Sequence, residues 1–189
     1  NRRRFWKGGN DGDKIAAFDV SGLKWNPNGA KMQPLQLSTI QDGKWEYETD
    51  TDKMTSALQY YASLSGNKLL NFSFTYNGGS AAAVTLQNTD SINAFIFWVS
   101  KGQIVETPGT PVSVEIRFDN DTAATYAFQA PDNGNTTKTY VGFTAANTII
   151  NRMKTAKVMK VEVQFYGDGY FVSQFNVGGL KWNHFGKEG

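Results

Sequence analysis

Apolar and polar residues alternate along much of this chain. Val112, Val114, Ile116 and Phe118 alternate with Ser113, Glu115 and Arg117, and Val161, Val163 and Phe165 alternate with Lys160, Glu162 and Gln164. Phe72, Phe74 and Tyr76 alternate with Ser73 and Thr75 before the turn signal Asn77-Gly78-Gly79. A period of two places one set of side chains on a single face, the signature of a half-buried strand. Residues 95–99 are continuously apolar and predict a more central strand, closed by Lys101-Gly102. A last strand is predicted over 171–177, entered through Gly167-Asp168-Gly169. Short strands punctuated by Gly, Asn and Pro describe a mainly β chain, an antiparallel sandwich or barrel.

One segment departs from that period. Ala146, Ile149, Ile150, Met153 and Ala156 share one helical face within about residues 144–157. Arg152, Lys154 and Lys157 lie towards its C-terminal end, where cations complement the helix dipole. Residues 56–64 fit either period, since their Ala, Leu and Gln suit a helix while Tyr60, Ala62 and Leu64 alternate. The reading taken is a strand.

The phrase FDVSGLKWN at 18–26 returns as FNVGGLKWN at 175–183. In each copy the first two apolar residues are two apart (Phe18 and Val20, Phe175 and Val177), and a Gly-containing bend leads to a second such pair (Leu23 and Trp25, Leu180 and Trp182). The expectation is two strands in related environments. They are either neighbours on one buried layer of the same molecule, or one is an assembly strand donated to the sheet edge of a neighbouring molecule.

Composition refines the picture. The 189 residues suit one domain, divided as a basic arm or linker over 1–14, a β-sandwich domain over 15–183 and a polar tail over 184–189. Charged residues make up 19%, below the usual quarter, and the net charge of +2 implies no nucleic-acid partner for the whole molecule. Arg2, Arg3, Arg4 and Lys7 beside Phe5 and Trp6 are a candidate partner-binding arm, or simply a solvated basic segment. No run reaches the roughly 20 apolar residues of a membrane span. Zero Cys excludes disulfides and thiol chemistry.

Candidate chemistry is sparse. His184 is the sole histidine and is placed in the polar tail, where it builds neither a metal site nor a triad. No G-x-S-x-G, H-E-x-x-H or P-loop is present. Asp50-Thr51-Asp52 and Asp119-Asn120-Asp121 read as turns, with an oxygen-rich Ca²⁺ site as the alternative. Asn71, Asn120 and Asn135 open glycosylation-type triplets. Neither a cofactor nor a catalytic residue is expected. Trp98 and Tyr126 are candidate contact residues, with core packing as the plain alternative.

Several landmarks then fall in a characteristic order. They are W-x-Y at Trp45 and Tyr47, D-x-M at Asp52 and Met54, and a Y-x-A-S-like run from Tyr60 to Ser63. F-x-F-x-Y-N-G-G at 72–79, K-G-Q at 101–103, V-x-I-R-F-D at 114–119 and the closing F-N-V-G-G-L-K-W follow. With this order and spacing, residues 44–183 resemble a family of small bacterial and mobile-element proteins distantly similar to the periplasmic accessory proteins of type VI secretion systems. The resemblance implies an antiparallel β-sandwich with one short helix, a periplasmic or cell-surface location, and no established catalytic residues. Members often carry a Cys pair, which this chain lacks.

The expectation is therefore a non-enzymatic envelope or surface domain that binds a protein partner, or self-associates, in a secretion-type machine. A structural protein of a particle or filament, assembling through its termini, is the first alternative. A carbohydrate- or cell-surface-binding module is the second.

Overall fold

The computed structural model describes residues 40–73, 76–89, 92–105, 110–129, 139–142 and 145–184. In chain order these form β1 (Glu46–Thr51), β2 (Leu58–Ser65), β3 (Ala82–Thr89), β4 (Ile92–Val99), β5 (Val112–Phe118), β6 (Ala124–Phe128), β7 (Thr139–Gly142), α1 (Ala146–Met153), β8 (Val158–Phe165) and β9 (Gly169–Asn176). Two antiparallel sheets result, in the orders β1-β2-β3-β4-β7 and β6-β5-β8-β9. Among the described residues the chain is mainly β with one helix, as its periodicity predicts.

Side chains of both sheets join one core. Phe97 of β4 meets Phe175 of β9 edge-on with ring centroids 6.4 Å apart, and Phe95 of β4 meets Phe128 of β6 at 5.7 Å. Val114, Ile116 and Phe118 of β5 and Val161, Val163 and Phe165 of β8 are buried on the same layer. Each such side chain contributes about 1.5–3 kcal/mol when fully buried. The apolar face of α1, with Ala146, Ile149, Ile150 and Met153, is buried in that core as well.

Three expectations are corrected by the structure. In the strand predicted over 72–76, the described residues Phe72, Ser73 and Tyr76 are not in a strand: Leu70 and Ser80, on either side of them, exchange backbone bonds of 2.8 Å in an isolated bridge. Phe72 leaves that bridge to pack against Phe165 and Phe171, at 4.6 and 4.9 Å. The helix is shorter than 144–157, ending at Met153, because the Asp119 carboxylate accepts the amides of Lys157 and Val158 (2.9 and 2.8 Å) and starts β8 there. His184 does not belong to a solvated tail, since its ring stacks on Tyr60 with centroids 3.7 Å apart.

Residues 56–64 do form a strand, within β2. β1, β3, β6 and β7 carry no alternation strong enough to announce them. All six residues of β1 are exposed, so burial left no mark on its sequence. β3 spends two of its eight positions on Ala, a weak strand former.

Candidate functional site

The sequence candidates of the N-terminal region, Arg2, Arg3, Arg4, Trp6, Phe18, Val20, Leu23 and Trp25, lie outside the described residues. The C-terminal copy of the repeat is built into this molecule. Phe175 and Val177 are fully buried, Trp182 nearly so, and Leu180 packs against the core from a partly buried position. Phe175 is near the end of β9; Val177 donates its N–H to the Lys157 carbonyl at 2.8 Å, and a turn at Gly178-Gly179 follows. Gly179 has φ +81, a region that L side chains rarely adopt. Trp182 lies beyond the strand, its buried Nε1 without a hydrogen-bond partner among the described residues and its ring T-shaped against that of His184, with centroids 5.2 Å apart.

Residues 42–47 clasp this closing segment. Gly43 donates its N–H to the Gly178 carbonyl at 2.9 Å. A Cβ on Gly43 would stand 1.9 Å from the Asn176 carbonyl oxygen, so no other residue fits. Lys157 Nζ pairs with Asp42 at 2.6 Å. Trp45 Nε1 donates to the Val177 carbonyl at 3.2 Å, and the Lys181 N–H donates to Tyr47 Oη at 2.8 Å. The first and last landmarks of the resemblance are thus in direct contact.

A buried amide chain holds the next residues. Asn88 Nδ2 donates to Asn93 Oδ1 at 3.0 Å, and Asn93 Nδ2 donates to Asn147 Oδ1 at 2.7 Å and to the His184 carbonyl at 3.1 Å. The β3–β4 hairpin, the start of α1 and the chain beyond Trp182 are joined through one side chain.

Both Asp clusters serve turns. Asp52 Oδ1 accepts the amides of Met54 and Thr55, each at 2.8 Å, and these bonds, the Thr55 one foremost, hold its carboxyl below the usual carboxylate range. Asp50 accepts the Thr51 amide, Asp119 starts β8, and Asp121 pairs with Arg152. Among the described residues no three His, Cys, Asp or Glu side chains are grouped to hold a metal ion.

Trp98 and Tyr126 do not share a surface. Trp98 stands on the outer side of the first sheet, opposite Ala83, and is 38% exposed. Tyr126 faces inward from β6 and packs against the core.

The outer side of the second sheet carries features that sequence reasoning passed over. Tyr170 and Val172 of β9 are exposed there, at 67% and 50%, and Tyr166 is 72% exposed in the turn that joins β8 to β9. Beside them, Glu115 lies directly opposite Glu162, and Arg117 directly opposite Lys160. None of these four charges forms an ion pair among the described residues. Burial, and secondly Arg117, lowers the Lys160 pKa. Alternation alone marks all four as outward positions, but the like-with-like pairing depends on the β5–β8 register, which no local pattern encodes. Comparison of the chain with protein-family models, curated proteins and solved structures returns no match.

Proposed function

We propose that this protein is a non-enzymatic envelope or surface domain that binds a protein partner and assists assembly of a secretion-type machine. The observation that carries the reading is the outer face of the β6-β5-β8-β9 sheet, where Tyr170 and Val172 stand in solvent beside four charges that form no ion pair among the described residues. Exposed tyrosines offer large rigid contact area and are enriched in protein interfaces. A sugar-binding platform would need neighbouring aromatics, and Tyr126 does not join Trp98 on its face.

The test is site-directed photo-crosslinking in the cell of origin. A photoreactive phenylalanine at Tyr170 is expected to give an adduct of discrete mass, and one at Leu58, exposed on the other sheet, is not. Equal labelling from both positions would sink the reading.

A further inference from the structure

We propose that the partner on this face is a second copy of the same chain, docked sheet to sheet about a two-fold axis. This rests on the reading above and names its partner. Two parallel rows of charge cross the sheet. One holds Glu115 of β5 and Glu162 of β8, and the other holds Arg117 and Lys160, on the same strands two residues along. The rows are about 7 Å apart, at roughly 3.3 Å per strand residue. Within one molecule each charge directly opposes its like, an arrangement that destabilises an isolated sheet. No ion pair among the described residues relieves it.

A second copy relieves it completely. Place a two-fold axis in the interface, parallel to the rows and midway between them. Each position on a strand then meets the position reflected along that strand. Glu115 faces Arg117 of the second copy and Glu162 faces Lys160 of the second copy, and symmetry repeats both pairs. A face that complements itself under a two-fold is what an isologous dimer requires. The same rows discriminate against partners of one sign. A nucleic-acid backbone or an anionic membrane would gain from Arg117 and Lys160 but be repelled by Glu115 and Glu162, and a polycation has the converse difficulty. The exposed apolar residues extend the patch, with Val172 opposite Glu162 and Tyr170 opposite Gln164 on β9.

Sedimentation of the full chain tests this. The wild type is expected at the mass of two chains in low salt, moving towards one chain near 1 M NaCl, where the screening length is about 3 Å. Glu115→Lys with Glu162→Lys makes the face wholly basic, and Arg117→Glu with Lys160→Glu makes it wholly acidic. Each double variant is expected to be a monomer, with a dissociation constant raised by more than about tenfold. Their equimolar mixture is expected to sediment as two chains, which neither does alone. A mixture that stays monomeric, or double variants that remain dimeric, overturns the proposal. Should a charge reversal not fold, Glu115→Gln with Glu162→Gln replaces it; dimerisation with undiminished salt dependence then overturns the proposal equally. The crosslink from Tyr170 separates the two readings, because an adduct at the mass of one chain plus a different protein removes self-docking and keeps the partner-binding face.

Discussion

Replacing Asn93 with Ala removes the hub of the buried amide chain. Asn93 is 4% exposed and makes three hydrogen bonds, to Asn88, Asn147 and the His184 carbonyl. Truncation leaves all three partners without it. A buried polar group stripped of its partner costs about 1–3 kcal/mol. Asn88 is itself buried and bears that cost in full; Asn147 and His184 are half-buried and recover part of it from water. The expected loss is therefore about 2–4 kcal/mol in all, read as a lower urea midpoint at unchanged slope. Asn88→Ala in the Asn93→Ala background should cost less than Asn88→Ala alone, since the orphaned donor disappears with it. Nuclear magnetic resonance of the His184 ring should also show loss of the upfield shift that stacking on Tyr60 imposes. A loss below about 0.5 kcal/mol, the level of an ordinary surface substitution, would refute the reasoning.

Ile150→Asp should aggregate or unfold the protein, because a carboxylate at this fully buried position costs several kcal/mol; an unchanged melting temperature in a soluble product would contradict the packing of α1. Gly43→Ala should destabilise by more than the roughly 1 kcal/mol of an average substitution, since its methyl group collides with backbone rather than a flexible side chain; thermal denaturation decides. Asp52 has its folded pKa depressed by the Thr55 and Met54 amides, so the stability it adds is present above the unfolded value and is lost as pH falls through the folded one. Amide resonances of Met54 and Thr55 should therefore shift together below the normal carboxylate range, and independent titration of the two would count against the shared carboxylate.

What could be read in advance followed burial. β5, β8 and the interior of β4 have one side in the core, and their apolar periods state it. β1 buries nothing and left no period, and Phe72 is apolar for the sake of Phe165 and Phe171 rather than a strand neighbour. The helix face was legible from its spacing, but its end was set by Asp119, 38 residues before Lys157. The candidate face fared similarly. Its residues were visible as outward positions, whereas the pairing of Glu115 with Glu162 exists only once two distant strands are in register.

The clasp also bears on how the chain reaches this fold. Trp45 bonds to a carbonyl 132 residues later, and Tyr47 to an amide 134 residues later. Loop-closure entropy must be met before such contacts return anything, which slows folding. During synthesis β1 can pair with β2 early, yet the bonds of Gly43, Trp45 and Tyr47 to the closing segment wait until that segment has left the ribosome. A nascent or truncated chain ending before Phe175 would present residues 42–47 unclasped, beside a sheet edge able to pair with other chains. The clasp is therefore among the last contacts this domain can form as the chain is made.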